Sequence, residues 1–384
     1  MMKKVSCFLF VFALTVFCLS GCGSQPAGKD EGAFKIGGLG PLTGGAAIYG
    51  NNAKNGAQLA AEEINALGGI RFDLKYEDDE HDAEKAVNAY NKLKDWGMKI
   101  SLGTVTTKPA IAVGPDFFKD RIFALSPSAS AVEVTEGKDN VFQMCFADPS
   151  QGSVSAQYIK DKGLATSVAV IYQNDDAYSK GIYEAFKTKA KEVGLTIVSA
   201  TTFTEDSQND FSVQLADAKN KGADLIFLPI YYTPSSLIFQ QAKSMDYSPQ
   251  YFGVDGMDGI LTLNGFDTAL AEGVMLLTPF SADASDDRTK NFVSKYRQAY
   301  GETPNQFAAD GYDCIYAIYN AIQADGTITT NMSASDICTK LIAQFTRFSF
   351  DGVTGTNMTW STNGQVSKDP RVFVIKNGGY VALN

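Results

Sequence analysis

The chain has 384 residues, of which 45% are hydrophobic, and a formal net charge of -10 at pH 7. This length exceeds what one compact core usually holds, so two lobes are expected. The acidic composition lacks a basic stripe, which argues against nucleic acid as a partner.

The N-terminus has the pattern of a secretion signal. Two lysines in Met1–Lys4 precede the uncharged stretch Val5–Leu19, which is too short for a permanent membrane helix. Leu19-Ser-Gly-Cys22 follows and resembles the bacterial lipobox, which implies cleavage before Cys22 and a lipid on its sulfur. An ordinary signal peptide with a chance cysteine is the alternative.

These features predict a lipoprotein signal peptide over 1–21 and, because the next residues are small and polar, a flexible tether over 22–33. The expected location is therefore extracytoplasmic, with a lipid on Cys22 as the membrane anchor. No other run in the sequence is apolar for long enough to predict a membrane helix.

Strands and helices alternate along the first part of the remaining chain. The helix before Gly68-Gly69, for example, has apolar residues at helical spacing. Strands are predicted at 34–36, 72–76, 99–102 and 122–125, and helices at 51–67, 83–96 and 109–119. Alternation at this pitch indicates a parallel sheet with helices on both faces.

The same rhythm restarts after Pro149. Strands are predicted at 168–172, 196–203, 224–228, 251–254 and 274–277, helices at 153–162, 179–193, 211–221, 235–243, 287–300, 308–324 and 335–345, and hairpins from 357 onward. Two consecutive runs predict an α/β fold of two similar, doubly wound, Rossmann-like lobes.

The glycine-rich turn Gly38–Gly44 follows a strand and precedes a helix, as in dinucleotide-binding proteins. Its spacing is GxGxxxG, however, and Pro41 removes one of the amides that a phosphate would need. A tight turn that brings the backbone close to a ligand is the favoured interpretation.

Few residues suited to catalysis are present. The single histidine, His81, lies in an acidic run that favours a surface turn capping the next helix over a metal site. Nothing matches GxSxG, HExxH or the P-loop. No enzyme activity, cofactor or metal is therefore predicted. Cys145, Cys314 and Cys338 remain after processing, and either one pair or no disulfide is compatible with the sequence.

Polar residues follow several predicted strands at their carboxyl ends, which is the edge where open α/β sheets bind ligands. Hydroxyls and free helix amides suit a carboxylate, and an acidic group with tyrosines suits an ammonium. The set predicts a site for a zwitterion and comprises Thr106-Thr107, Ser126–Ser130, Tyr178, Tyr231-Tyr232 and Asp255.

Several stretches from Phe34 to the C-terminus resemble the leucine/isoleucine/valine-binding proteins, which are type I periplasmic solute-binding proteins of ABC transporters. These stretches are Ile36–Gly44, Tyr49-Gly50, Gly56–Ile70, Leu125–Ser130 and Tyr172–Gly181. The resemblance implies two lobes joined by a three-strand hinge that close on a ligand. It also implies lobe 1 at 34–148 plus 277–352, and lobe 2 at 149–276 plus 353–384.

The resemblance assigns ligand contacts to residues of the first lobe. Tyr49 would line the pocket and Thr107 would bind the ligand carboxylate through its hydroxyl. Ser128 would bind the amine through its backbone carbonyl, and Ser130 would bind the carboxylate through its hydroxyl and amide.

The second lobe would supply the remaining contacts. Tyr178 matches a tyrosine near the amine, Tyr231 or Tyr232 matches a pocket tyrosine, and Asp255 stands where an acidic residue binds the ammonium. Asp255 is shorter by one methylene than the family's glutamate, and Lys108 could favour a second carboxylate on the ligand. Some members have a disulfide where His81 and Thr106 stand here.

The resulting hypothesis is a monomeric substrate-binding lipoprotein that captures an amino acid, branched-chain or related, for ABC permease and ATPase subunits. The alternative is a ligand-sensing binding protein for amides, urea or aromatic acids. An extracytoplasmic enzyme is a third possibility, but it would have to use Asp255 and tyrosines as its catalytic groups.

Overall fold

A computed structural model describes residues 32–383, which form two β-sheets flanked by helices. The signal peptide, Cys22 and the tether up to residue 31 lie outside the described residues. None of the described helices is long and apolar enough to cross a membrane.

The first sheet has five parallel strands in the order β2-β1-β3-β4-β5. They are β1 (Phe34–Gly40), β2 (Phe72–Asp78), β3 (Ile100–Leu102), β4 (Phe123–Ser126) and β5 (Val141–Gln143), connected by α1 (Ala47–Leu67), α2 (Ala83–Trp96), α3 (Thr107–Asp120) and α4 (Val132–Thr135). Strands β3, β4 and β5 are buried throughout, as expected for a sheet that is covered on both faces.

The second sheet has the order β12-β11-β10-β9-β8-β6-β7. Its strands are β6 (Ser167–Gln173), β7 (Thr196–Phe203), β8 (Leu225–Leu228), β9 (Gln250–Gly253), β10 (Met275–Thr278), β11 (Arg371–Lys376) and β12 (Gly379–Ala382), and its helices are α5 (Asp148–Asp161), α6 (Ala177–Val193), α7 (Ser212–Asn220) and α8 (Tyr232–Ser244). Strands β6 to β10 are parallel. The hairpin β11–β12 turns at Asn377-Gly378, both with positive φ, as a two-residue turn requires.

Three further helices, α9 (Asp287–Tyr300), α10 (Gln306–Asp325) and α11 (Ala334–Phe345), follow β10 and return to the first lobe. Helix α10 packs closely on α1 because glycines stand at the crossing. A Cβ on Gly56 would lie 1.8 Å from the carbonyl oxygen of Ala308, and one on Gly311 would lie 2.2 Å from that of Ala53. The chain therefore passes between the sheets three times, and the predicted two-lobe α/β fold is confirmed.

The lobe boundaries near the C-terminus differ from those expected. Trp360, expected in lobe 2, packs on Phe345 of α11, and its indole nitrogen donates a 2.8 Å hydrogen bond to the carbonyl of Gln143. The amide of Gln143 in turn donates to the carbonyl of Gly364. These contacts place the segment around Trp360 on the first lobe, whereas β10 belongs entirely to the second sheet.

The three cysteines Cys145, Cys314 and Cys338 are free thiols and all are buried. Burial raises the pKa of each thiol, so all three are neutral at physiological pH. Of the two arrangements compatible with the sequence, the structure has the one without a disulfide.

Candidate ligand-binding cleft

A narrow cleft lies between the two lobes at the carboxyl ends of their parallel strands. This is the edge of the sheets where the sequence predicts a site. The lining residues from the first lobe are Tyr49, Val105, Thr106, Thr107, Ser128 and Phe307, and those from the second lobe are Tyr178, Tyr231, Asp255 and Gly256.

The first lobe presents the N-terminus of α3 to the cleft. Thr106 is the extended N-cap residue, and Thr107 is the first residue of the helix. The first amides of a helix have no intrahelical acceptor, so this end is electropositive and suited to an anion. The Ser128 hydroxyl lies at the same place and donates a 2.5 Å hydrogen bond to the carbonyl of Val105.

The second lobe presents the carboxylate of Asp255, which lies two residues after the end of β9 and is only 4% exposed. The Tyr178 hydroxyl donates a 2.6 Å hydrogen bond to its Oδ1. The Asp255 amide donates to Gln151, and the Asp255 carbonyl accepts from Gln306. Burial raises the pKa of Asp255 to about 6, against the effect of these hydrogen bonds. An ammonium ion would supply the counter-charge that this buried group needs.

Aromatic rings enclose the space between these two groups. Tyr178 and Tyr231 stack with their centroids 4.8 Å apart, and Tyr49 contacts Phe307 at 4.5 Å. A Cβ on Gly256 would lie 2.5 Å from the Tyr178 hydroxyl, so glycine allows the rings to approach the backbone. The faces of such rings attract cations.

The lobes contact each other across the cleft. The Tyr49 hydroxyl donates to the carbonyl of Gly256 and accepts a 3.2 Å hydrogen bond from the amide of Tyr232. The Thr233 hydroxyl donates to the carbonyl of Gly45 at 2.8 Å. The structure is therefore a closed arrangement of the two lobes.

An ion pair between Lys108 and Glu205 also joins the lobes, with 2.8 Å between Nζ and Oε2. Lys108 does not line the cleft. In the structure, Lys108 contacts the carboxylate of Glu205. The idea that it favours a second carboxylate on the ligand stays a prediction.

Six of the eight predicted ligand residues meet at the cleft, and these are Tyr49, Thr107, Ser128, Tyr178, Tyr231 and Asp255. Their binding roles remain predictions. Tyr231 lines the cleft, whereas Tyr232 is buried beside it and accepts a 3.3 Å hydrogen bond from the amide of Ile48. The register that the sequence left open therefore has Tyr231 in the cleft.

Ser130 is buried but does not line the cleft. Its carbonyl accepts a 3.0 Å hydrogen bond from the amide of Asp148, while its hydroxyl has no hydrogen-bond partner within the described part of the chain. Burial raises the pKa of Asp148 well above its usual value, and the nearby Ser130 hydroxyl acts in the opposite direction.

Sequence reasoning missed three lining residues, Val105, Phe307 and Gly256. Phe307 comes from α10, far from the other elements in sequence, and no local pattern indicates it. Over residues 32–383, no group of three His, Cys, Asp or Glu side chains is arranged to hold a metal ion.

The acidic turn before α2 caps that helix, since the Asp82 carboxylate accepts a 2.9 Å hydrogen bond from the amide of Lys85. The prediction of a capping turn is thus confirmed. His81 in the same turn is not a simple surface residue, because its ring contacts Thr106 and Tyr231 at the edge of the cleft.

Two α/β lobes with facing strand ends define the type I periplasmic binding protein class. Residues 33–380 match the model of the family described as periplasmic binding protein, and the chain belongs to this family. The expected resemblance is therefore confirmed.

Relatives of this chain have names that refer to branched-chain amino acids. Leu/Ile/Val-binding protein homolog 3 of Brucella melitensis is 32% identical over 226 residues, which cover 58% of this chain and 61% of the relative. The leucine-, isoleucine-, valine-, threonine- and alanine-binding protein of Pseudomonas aeruginosa is 26% identical over 316 residues, covering 80% and 82% of the two chains.

A solved structure agrees closely in fold. It is the branched-chain amino acid transporter substrate binding protein of Streptococcus pneumoniae in complex with isoleucine. Its TM-score is 0.82 at 27% identity, and the match covers 91% of this chain and 98% of that chain.

Proposed function

We propose that this protein is an extracytoplasmic solute-binding protein that captures a free amino acid between its two lobes for an ABC importer. The observation that carries the proposal is the pairing of opposite polar groups across one cleft. The N-terminus of α3 lies on one lobe, and the Asp255 carboxylate lies on the other. An α-amino acid has both charges that these groups need.

The carboxylate of the ligand would accept hydrogen bonds from the Thr107 hydroxyl and from the free amides at the start of α3. Pro109, in the first turn, has no amide of its own, so the amides of Thr107 and Lys108 are the available donors there. The positive end of the helix dipole adds to this attraction.

The ammonium of the ligand would pair with Asp255 and lie against the faces of Tyr178 and Tyr231. A charge-assisted hydrogen bond to Asp255 offsets the cost of removing both charges from water. A ligand without an amine would leave this carboxylate without a counter-charge, so simple amides, urea and aromatic acids suit the site less well.

The ligand side chain would lie against Val105 and Phe307. These walls are apolar, and the small cleft favours a compact aliphatic side chain. The names of the relatives, which refer to branched-chain amino acids, also favour such a ligand. A branched-chain or related amino acid is thus the proposed ligand.

Closure of the lobes would be the signal that the transporter reads. The direct contacts from Tyr49 to Gly256 and Tyr232 exist only when the lobes meet, so ligand binding and closure stabilise each other. The ligand would be released unchanged, because the described cleft residues bind charged groups and include no activated nucleophile.

A lipid on Cys22 would hold the protein at the membrane next to the permease. A Cys22→Ala variant, expressed in a bacterium supplied with labelled palmitate, should lose the label that the native chain acquires. Label on both proteins, or on neither, would contradict this part of the proposal.

The central test is isothermal titration calorimetry of the mature protein with matched ligands. L-Leucine, L-isoleucine and L-valine should bind, whereas 4-methylpentanoate (leucine without its amine) and isoamylamine (leucine without its carboxylate) should each bind at least about 100-fold more weakly. Benzoate, acetamide and urea complete the panel. Tight binding of one of these, with none of the amino acids, would favour the alternative function.

A further inference from the structure

His81 lies at the junction of the two lobes, at the edge of the cleft. It belongs to the turn between β2 and α2 on the first lobe. Its ring packs in a T-shaped arrangement against the ring of Tyr231 from the second lobe. The ring centroids are 5.4 Å apart and the interplanar angle is 89°. The same ring reaches Thr106, with 2.9 Å between Nδ1 and Oγ1.

The turn holds His81 firmly in this position. The amide of His81 donates a 2.9 Å hydrogen bond to the carboxylate of Asp79, which is itself fully buried. The backbone of His81 has a φ of 61°, in the left-handed region that few residue types adopt readily. The ring is therefore presented to the cleft by a fixed turn.

We propose that His81 is a positioning residue for ligand capture, whose neutral ring orients Thr106 and supports Tyr231 only when the lobes are closed. Thr106 is the N-cap residue of the helix whose N-terminus is the proposed carboxylate site, and Tyr231 is part of the proposed ammonium site. One side chain thus links the two halves of the cleft. This inference rests on the proposed function, because it assumes that ligand binding closes the lobes.

A protonated ring fits the closed arrangement poorly. Partial burial of the ring beside Tyr231 disfavours its charged form, and the Lys108 ammonium lies nearby, so the pKa of His81 falls to about 4. Glu205 from the second lobe and Asp82 in the same turn act in the opposite direction but are outweighed.

The open protein would expose the ring to water, where histidine has a pKa of about 6.5. Closure then requires loss of the proton whenever His81 is protonated in the open state. Ligand affinity should therefore fall as the pH decreases through the window from about 6.5 to about 4, by up to tenfold per pH unit.

His81→Asn isolates this contribution. The amide of asparagine can reach Thr106 from the position of Nδ1, asparagine tolerates a positive φ, and it carries no titrating group. At pH 7.5 the variant should bind L-isoleucine roughly 3- to 10-fold more weakly, since it lacks the ring contact with Tyr231. Below pH 6.5 its affinity should fall less steeply than that of the native protein.

The matched control is Glu80→Asn in the same turn. Glu80 also has a positive φ, of 49°, but it points to the surface and pairs with Lys85. The buried carboxyls Asp255, in the cleft, and Asp176, at the start of α6, are present in all of these proteins. The difference between the native and His81→Asn profiles therefore reports the imidazole, and Glu80→Asn should follow the native profile.

The chain has one histidine, so NMR of a protein without a histidine tag gives a single imidazole signal. Its pKa should decrease on saturation with L-isoleucine, and Lys108→Gln should make that decrease smaller. Binding with an unchanged imidazole pKa, and equal pH profiles for native and His81→Asn, would overturn the role of His81 alone. No L-isoleucine binding at any pH would overturn the proposed function and this inference together.

Discussion

The Tyr178 hydroxyl donates a hydrogen bond to the Asp255 carboxylate over 2.6 Å and is itself the acceptor for the amide of Gly256. The tyrosine thus fixes the carboxylate relative to the backbone of its own loop. Tyr178 holds one of the two Asp255 carboxylate oxygens, Oδ1. The carboxylate is therefore oriented to accept a hydrogen bond from a second donor. In the proposed complex that donor is the ligand ammonium.

Asp255→Asn should abolish the ion pair with the ligand ammonium while keeping nearly the same side-chain shape. The neutral amide cannot balance a buried ammonium, so amino-acid binding should weaken by about 2–5 kcal/mol in calorimetry. Asp267→Asn, in an exposed capping position of the same lobe, should leave affinity unchanged. Equal affinities of the native protein and Asp255→Asn, with identical circular dichroism spectra, would contradict the zwitterion site.

Tyr49→Phe should weaken ligand binding because it destabilises the closed arrangement of the two lobes. The missing hydroxyl leaves the Gly256 carbonyl and the Tyr232 amide unpaired in the closed state only, at a cost of about 1–3 kcal/mol. Small-angle scattering at subsaturating ligand should show more of the extended form.

Tyr90→Phe provides the comparison for Tyr49→Phe. Its hydroxyl donates to Asp120 within the first lobe, 2.7 Å away and remote from the cleft. This variant should lose some thermal stability without a change in ligand affinity. If both variants changed affinity to the same extent, the effect at Tyr49 could not be assigned to closure.

Much of the fold follows from the local pattern because buried strands and amphipathic helices alternate regularly. The three-residue strand β5 and the single-turn helix α4 are too short to produce such a pattern. The docking of Trp360 on Phe345 is a contact between distant segments, so the boundary at 353 could not be read locally. Helix α5 begins at Asp148 rather than 153, since Pro149 occupies its first turn.

The candidate site was predictable where strand ends determine it. Thr107, Tyr178 and Asp255 each follow a parallel strand, and such ends converge on one edge. Phe307 was not predictable, because its position depends on how α10 packs on α1. The choice between Tyr231 and Tyr232 depends on where α8 begins: Tyr231 is the extended cap, and Tyr232 is the first helical residue.

The ligand-free protein should become more stable as the pH falls from 7 to 5. Burial raises the pKa of Asp79 and Asp310 to about 7, and that of Asp176 and Asp258 to about 6. The folded state then binds more protons than the unfolded chain in this window, so stability decreases with rising pH. His81 opposes the trend, since its lowered pKa favours the unfolded state at acid pH.

The expected gain in the free energy of unfolding from pH 7 to pH 5 is at least about 1 kcal/mol, because these four carboxyls, together with Asp255, oppose one imidazole. Thermal melts in buffers of equal ionic strength measure it. Asp79→Asn should reduce the pH dependence, as one of the raised carboxyls is then absent. A melting temperature that falls steadily from pH 7 to pH 5 would contradict the assignment of these groups.

A buried ion pair ties the last crossing of the chain to the first lobe. Lys368 lies 2.9 Å from the Asp310 carboxylate and donates a 2.6 Å hydrogen bond to the Thr354 hydroxyl. That hydroxyl donates in turn to Asp313. Both partners of the ion pair have side chains that are only 2% exposed, so removal of one leaves a buried charge without compensation.

Lys368→Met should therefore lower the free energy of unfolding in urea by about 3–5 kcal/mol at pH 7.5. The loss should shrink at pH 5, because a protonated Asp310 needs no counter-charge, and the double variant with Asp310→Asn should recover part of it. Lys340→Met removes a longer, more exposed pair with Asp325, whose side chains are 33% and 12% exposed, and should cost less than about 1 kcal/mol. Equal losses for the two lysines would show that the buried pair contributes no more than a surface contact.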